Sequence, residues 1–119
     1  MPVSDYRQLV VWQKGVQLAL HTYRLSCRFP RQEMYGLTSQ IRRAAVSVPA
    51  NIAEGNGRMH RREYANHVSM ARGSLREVET LAEIAHGLGY ISTEELAEFR
   101  ELLDHLGRML TSLLKRLGA

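Results

Sequence analysis

Apolar residues recur at steps of three and four along most of the chain, which is the pattern of helices that bury one face. Four such segments are predicted, over residues 6–28, 34–55, 61–86 and 93–117. The alternating pattern of a β-strand does not occur. Helices of about twenty residues joined by short loops predict an all-α protein. We expect an antiparallel up-down-up-down four-helix bundle that forms one domain over residues 1–119.

The centre of this pattern is QIRRAAVSVPANIAEGNG, residues 40–57. Pro49 lies inside the apolar ladder, so we expect a kink there with the helix continuing. Glu54 lies in the last turn and faces the negative end of the helix dipole, which is unfavourable without an opposing charge. Three arginines that follow could supply that charge: Arg58, Arg61 and Arg62.

The first and fourth predicted helices carry apolar residues on more than one face. The main stripe predicted for the first helix is Leu9, Trp12, Val16, Ala19 and Tyr23. Further apolar residues lie off that stripe, namely Val10, Val11 and Leu18. A bundle needs one stripe per helix, so the surplus indicates association with another copy or a partner.

Capping signals mark where two of the helices begin. Ser4 or Asp5 can cap the first helix. Ser92 and Glu95 form the capping-box pattern at the start of the fourth. The single cysteine, Cys27, is interpreted as a small buried side chain in a reducing compartment. Without a signal-peptide pattern or a membrane-length apolar run, we expect a cytoplasmic protein with no membrane partner.

Basic residues are concentrated in the first half of the chain. The formal net charge is +4 and the calculated pI about 9.6. Residues 1–62 carry ten basic and three acidic side chains, whereas residues 63–119 carry six and nine. Fourteen of the sixteen basic residues are arginine, whose planar fork suits phosphate and carboxylate groups. A polyanionic partner and a GC-rich genome are alternative explanations of this preference.

A search for catalytic chemistry finds little. His60, Glu63 and His67 share a helix face, but no second cluster completes a set of metal ligands. The segment from Glu83 to His86 matches half of a di-iron motif and has no second copy. Phosphate-binding loops and nucleophile elbows are missing from the sequence. We therefore expect a protein that is not an enzyme and needs no cofactor.

Arginines in the second and third helices form the candidate binding surface. If they merge, they would favour nucleic acid through phosphate contacts without base specificity. The alternative is a solvated face whose arginines pair with nearby glutamates: Glu77, Glu79 and Glu83. The predicted nucleic-acid-binding residues are Arg42, Arg43, Arg58, Arg61, Arg62, Arg72 and Arg76.

Together, several short motifs resemble the four-helix-bundle proteins encoded in intervening sequences of bacterial 23S ribosomal RNA genes. The motifs span nearly the whole chain: LVVWQK at residues 9–14, FP at 29–30, YGL at 35–37, QIRRAA at 40–45, NIAEG at 51–55, GSLRE at 73–77 and GYI at 89–91. Pro49 departs from the family pattern. The resemblance implies a ring-like homopentamer similar to the accessory protein of diversity-generating retroelements, which binds nucleic acid and a reverse transcriptase. RNA or DNA binding is one implied function, and a protein-interaction scaffold is the alternative.

Two of these motifs are interpreted as a structural polar cluster. Its members are Asn51, Glu54, Gly55, Gly73, Ser74 and Glu77. The small residues Gly73 and Ser74 would let the second helix pack closely on the third. Three polar side chains of the cluster, Asn51, Glu54 and Glu77, would then bond to Arg42, Arg43 or Arg76 within one subunit or between subunits.

Overall fold

The computed structural model describes residues 5–118. This part of the chain contains four α-helices and no β-strand, which confirms the all-α prediction. The helices are α1 (Val10–Ser26), α2 (Leu37–Asn56), α3 (Arg61–Gly87) and α4 (Thr93–Arg116). Single 3₁₀ turns at Tyr6–Gln8 and Arg31–Glu33 precede α1 and α2. The molecule is elongated, with dimensions of 45 × 24 × 21 Å.

Each helix packs against two others, so that the four surround a common core. α1 contacts α2 and α4, and α3 contacts the same two helices; the most extensive contact joins α2 to α3. Fully buried side chains from every helix fill the centre, including Leu18, Ile52, Val68 and Phe99. None of the helices described between residues 5 and 118 is long and apolar enough to cross a membrane.

The core face of α1 differs from the predicted stripe. Its buried residues include Val11, Gly15, Leu18 and Thr22, whereas Tyr23 of the predicted stripe is 46% exposed. Thr22 can be buried because its hydroxyl donates to the carbonyl of Leu18 at 2.7 Å. The prediction was wrong because it counted apolar residues only, and this core face contains a glycine and a threonine.

Pro49 lies inside α2, which continues past it to Asn56 as predicted. The proline is buried against Gly15 of α1. A Cβ atom at position 15 would lie 3.1 Å from the Cβ of Pro49, closer than ordinary packing allows. The glycine therefore makes room for the proline ring where the two helices meet.

Local geometry, rather than the apolar periodicity, determines where α1 begins and ends and where the 3₁₀ turn before it begins. α1 begins at Val10 because Leu9 is extended, with φ −72° and ψ 123°. Asp5 caps the preceding 3₁₀ turn by accepting from the backbone N–H of Arg7, and Ser4 lies outside the described residues. Cys27 directly follows α1 and is exposed, which corrects the prediction that it is buried.

The capping box of α4 is confirmed by two hydrogen bonds. Ser92 Oγ accepts from the backbone N–H of Glu95 at 3.0 Å, and the Glu95 carboxylate accepts from the backbone N–H of Ser92 at 2.8 Å. Each bond satisfies a donor that the first helical turn leaves without a partner. The same Glu95 also pairs with Arg28, which follows α1.

The connections between α1 and α2 and between α3 and α4 meet at one end of the molecule. Tyr90 donates its hydroxyl to the Glu33 carboxylate at 2.9 Å, and its ring lies 5.6 Å from that of Phe29. The hydrogen bond to Glu33 raises the pKa of Tyr90 above its usual value, with smaller contributions from burial and from the negative charge. This contact ties the two connections together.

Candidate nucleic-acid interface

A groove between α3 and α4 gathers cations from both helices. Arg72 and Arg76 lie on α3, and Arg108 and Lys115 lie on α4. We call these four residues and the surface between them the basic groove. Two carboxylates also line it, those of Glu79 and Asp104. Cations therefore exceed carboxylates by two.

The width of the basic groove follows from small residues on α4. Gly107, Thr111 and Ser112 line it, and these small residues leave space between α4 and α3. Its volume is about 460 Å³. Leu75 and Leu103 lie beneath as buried members of the core. The groove is thus an open channel with a buried apolar floor and charged side chains at its edges.

Two cations of the basic groove were not predicted as binding residues. Arg108 and Lys115 are exposed in the second half of α4, where basic residues suit the helix dipole without any binding role. The available signal was their spacing of seven residues, which places both on one face together with Thr111. Knowing that this face lies beside α3 requires the packing of the bundle.

A second basic site, which we call the end pocket, lies where α2 meets α3. Arg58, His60, Arg61 and Arg116 line its polar side, and its volume is about 470 Å³. Arg61 donates to the backbone carbonyl of Arg116 at 3.2 Å, which joins the start of α3 to the end of α4. The described residues that line the pocket include no carboxylate.

Arg58 has partners that compensate its charge. Its guanidinium lies 2.9 Å from the Glu54 carboxylate and 3.9 Å from that of Glu63. The prediction that an arginine after α2 compensates the charge of Glu54 is therefore confirmed for Arg58. Of the three arginines around the end pocket, Arg58 has the least charge available for a ligand.

The remaining predicted arginines do not join these sites. Arg42 donates to Ser26 Oγ at 2.8 Å and to the Tyr23 carbonyl at 3.3 Å, and its guanidinium lies over the Tyr23 ring. It thus packs against the end of α1. Arg43 and Arg62 are exposed. The seven predicted residues are distributed over several surfaces, with Arg72 and Arg76 in the basic groove and Arg58 and Arg61 at the end pocket.

Polar side chains join α2 to α3 on the side of α3 away from the basic groove. Asn51 donates to the carbonyl and hydroxyl of Ser47, at 2.9 and 3.0 Å, and its Oδ1 lies 3.1 Å from His67 Nδ1. Ser47 and Ser74 share a hydrogen bond of 2.9 Å. Glu54 lies 3.7 Å from His67 Nε2. We call these five residues the α2–α3 polar contact.

This contact corrects the predicted partners of the structural polar cluster. Asn51 bonds to Ser47 and His67 rather than to an arginine. Glu54 pairs with Arg58 and lies near His67. Arg76 pairs with Glu79 of its own helix at 3.8 Å. Glu77 is exposed, and the described part of the chain gives it no hydrogen bond or ion pair.

The close approach of α2 and α3 occurs at Gly55, not at Gly73 as predicted. A Cβ atom on Gly55 would lie 2.7 Å from the Cβ of His67 and 3.1 Å from Tyr64 Cδ1. At Gly73, no atom of residues 5–118 beyond the local helix lies within 4 Å of that position. Gly73 faces outward because it is one residue out of phase with Ser74, which meets α2.

No group of three potential metal ligands occurs within residues 5–118. Of the three residues considered for a metal, His67 belongs to the α2–α3 polar contact and Glu63 lies near Arg58. His60 precedes α3 and lines the end pocket. The shared helix face predicted for the three residues therefore does not bring their side chains to a common point.

Comparison with known proteins identifies the family. The family model described as 23S rRNA-intervening sequence protein matches residues 7–112. A crystal structure of a protein of unknown function from the S23 ribosomal protein family of Bacteroides thetaiotaomicron is similar, with a TM-score of 0.80 and 24% identity over 89% of this chain and 99% of that one. No curated protein matches. The fold agrees with that neighbour, and the chain belongs to the 23S rRNA-intervening sequence protein family.

Proposed function

We propose that this protein is a non-catalytic, oligomeric module that binds RNA or DNA through the basic groove without strong sequence preference. The observation that carries the proposal is the gathering of Arg72, Arg76, Arg108 and Lys115 around one open channel. Nucleic-acid affinity of this kind comes from neutralising phosphates and releasing counterions. Two of the four cations, Arg108 and Lys115, extend the set predicted from sequence.

The groove suits phosphates better than base edges. Arg76 is extended into solvent, with 77% of its side chain exposed, and its single ion pair to Glu79 is of a kind that contributes about 0–1 kcal/mol. Long exposed side chains can follow a sugar-phosphate backbone, but they do not hold the fixed geometry that reading a base requires. Weak sequence preference follows from that difference.

We also infer an antiparallel up-down-up-down topology. Two end contacts support it: Arg28 after α1 pairs with Glu95 at the start of α4, and Arg61 at the start of α3 bonds to Arg116 at the end of α4. In both pairs, the end of one helix lies beside the beginning of another. Short connections between consecutive helices favour the same arrangement.

Assembly into a ring-like homopentamer is part of the proposal. Support comes from α1, where an outer stripe beside α2 remains partly open: Trp12, Val16, Ala19, Leu20 and Tyr23. Leu20 is 52% exposed and Tyr23 46%. A second copy that covered this stripe would bury apolar surface. Repeating the basic groove around a ring would strengthen its positive field.

Sedimentation velocity tests the assembly separately from nucleic-acid binding. We expect the wild-type protein to sediment as an oligomer, and Leu20→Asp with Tyr23→Asp to shift it to a monomer with unchanged helicity. Lys14→Gln with Arg24→Gln, on the same helix, makes the same change in net charge and is the control. A wild-type protein that is monomeric at micromolar concentration rules out the pentamer.

The binding experiment is a salt series with a labelled structured RNA and a labelled duplex DNA. We expect log affinity to fall linearly with log salt, with a slope of about −0.7 to −0.9 per phosphate neutralised. The test variant is Arg72→Glu with Arg76→Glu. Its control, Arg24→Glu with Arg31→Glu, makes the same change in net charge at exposed positions elsewhere. Equal loss of affinity in both variants would show a general charge effect and overturn the groove assignment.

A protein-interaction scaffold is the second candidate, and a different patch favours it. Met34, Tyr35 and Leu88 are exposed in the connections at the end of the molecule remote from the end pocket, and Tyr35 is 94% exposed. A nuclease-treated pull-down that recovers one stoichiometric protein, and loses it with Tyr35→Ser and Leu88→Ser, would support this function. We place either activity in the cytoplasm, where an unpaired Cys27 stays reduced.

A further inference from the structure

The end pocket combines a cationic side with an apolar one. Arg61 and Arg116 approach from the start of α3 and the end of α4. Leu9, Leu113 and Leu117 line the same pocket. Binding the phosphates of a nucleic-acid backbone needs only cations, which the basic groove supplies. An apolar wall alongside arginines suits a ligand with an anionic group and an uncharged, poorly hydrated body.

The floor of the pocket is formed by two buried side chains that are hydrogen-bonded to each other. Tyr64 and Asn56 line it and are 6% and 8% exposed. Asn56 donates its side-chain amide to the Tyr64 hydroxyl at 3.3 Å. This pair fixes two polar groups at the bottom of a cavity of about 470 Å³, which lies within the range of roughly 300–1,000 Å³ typical of small-molecule sites.

We propose that the end pocket binds a single nucleotide, with its phosphate between Arg61 and Arg116 and its base against the leucines. This deepens the proposed function and rests on it, since the nucleotide would belong to the bound strand. Guanidinium groups make strong paired hydrogen bonds to phosphate. An unpaired base offers an apolar face and a hydrogen-bonding edge, which match the leucines and the buried Asn56.

The position of the pocket connects it to the basic groove. Lys115 lines the groove and its sequence neighbour Arg116 lines the pocket. The groove and the pocket thus both reach the last turn of α4, where a single strand that followed the groove to its end would come to the pocket. There one base can leave the stack of bases, as bases of single-stranded RNA often do when a protein binds the RNA. The geometry favours single strands over duplex at this point.

Titration of the full-length protein with small probes tests the site. AMP, UMP, adenosine and inorganic phosphate would be compared by calorimetry at one low salt concentration. We expect AMP and UMP to bind at least about tenfold more tightly than adenosine or phosphate, because only the nucleotides use both sides of the pocket. Nucleotides that bind no better than inorganic phosphate, or not at all, would overturn the proposal.

Variants separate the two sides of the pocket. Arg116→Gln should weaken AMP about tenfold through loss of a charged phosphate contact. Leu117→Ala should weaken AMP but leave inorganic phosphate unchanged. Arg31→Gln, exposed in the second 3₁₀ turn, is the matched control and should bind AMP normally. An Arg31→Gln variant that loses affinity equally would refute a site at the end pocket.

The two proposals can fail independently. If AMP does not bind while RNA still binds and remains sensitive to Arg72→Glu with Arg76→Glu, the end pocket is refuted and the basic groove stands. If AMP binds but neither RNA nor DNA does, the strand interpretation is refuted and the pocket is a site for free nucleotides. If Arg116→Gln weakens the binding of a single-stranded RNA but not of a duplex, that result would support both proposals.

Discussion

The two sides of α3 use polar residues in opposite ways. Towards α2, Ser74 and His67 form hydrogen bonds with the side chains of Ser47 and Asn51. Towards α4, Arg72 and Arg76 line an open channel, with one weak ion pair at 3.8 Å. A polar side chain that is hydrogen-bonded where two helices pack contributes to the stability of the fold rather than to binding a partner. A cation beside an open groove remains available to a partner.

This difference separates stability from binding. The α2–α3 polar contact includes Asn51 and Glu54 of the NIAEG segment, and its side chains have internal partners. We therefore assign those residues to packing rather than to a ligand. The basic groove and the end pocket have cations around open volume, and we propose that those residues bind a ligand. Variants on the two sides of α3 should affect different measurements.

The largest effect on stability is expected at Gly55. Alanine there would place a Cβ atom 2.7 Å from His67 Cβ and should lower the free energy of unfolding by about 3 kcal/mol. Gly73→Ala is the matched control and should raise it by about 0.5–1 kcal/mol, because the position is open and helical. Urea denaturation measures both. Equal effects at the two glycines would contradict the close packing at Gly55.

Charge reversal in the basic groove should affect binding and spare stability. Arg72→Glu with Arg76→Glu should weaken RNA affinity about 100-fold, or about 2.7 kcal/mol, through loss of two phosphate contacts and added repulsion. The free energy of unfolding should change by less than about 0.5 kcal/mol, since both side chains lie at the surface. Fluorescence anisotropy and urea denaturation on one preparation test the pair of outcomes. Loss of stability would place these arginines with the packing residues.

Asn51→Ala should have the reverse profile. It leaves His67 Nδ1 without its partner and removes two hydrogen bonds to Ser47, whose hydroxyl keeps its bond to Ser74. This loss should cost about 1–2 kcal/mol of stability. RNA affinity should stay within about twofold of wild type, as expected for a site without phosphate contacts. Glu77→Ala, which removes an exposed side chain of α3, is the control. A large loss of RNA binding in a folded Asn51→Ala protein would move the α2–α3 polar contact into the interface.

A smaller and pH-dependent effect is expected for Tyr90. Its folded-state pKa is raised mainly by the hydrogen bond to Glu33. The stabilisation is therefore fully present below the unfolded-state pKa of about 10 and is lost as pH rises through the folded-state value. Tyr90→Phe should lose less stability than Asn51→Ala at pH 7. Denaturation between pH 8 and 11 should show a decline in the wild type that Tyr90→Phe lacks; parallel curves would exclude this contribution.

Sequence periodicity predicted the four helices but not the phase of every face. On α1, counting apolar residues selected Tyr23 for the core and missed Thr22, whose hydroxyl is satisfied within its own helix. Arg42 was predicted to face a ligand, but it packs on Tyr23 and Ser26. In both cases the outcome depends on what a polar group contacts, and that information lies in tertiary structure.

For the candidate binding surfaces, the sequence predicted the type of residue but not which residues lie together. The excess of arginine indicated a polyanionic partner, and Arg72 and Arg76 do lie together in the basic groove. Arg108 and Lys115 could not be joined to them from sequence, because the pairing of α3 with α4 depends on the bundle. Gly55 and Gly73 posed a similar problem, since both are glycines in helices and only the facing neighbour distinguishes them.

The contact between Gly15 and Pro49 also fixes how far α1 can slide along α2. Moving α1 by one helical turn, about 5.4 Å, would bring Val11 or Ala19 to the place of Gly15. Either residue would push a Cβ atom into the proline ring, since even Gly15 leaves only 3.1 Å for one. The pair thus specifies a single longitudinal register. That register determines that Arg42 meets the last turn of α1 rather than solvent.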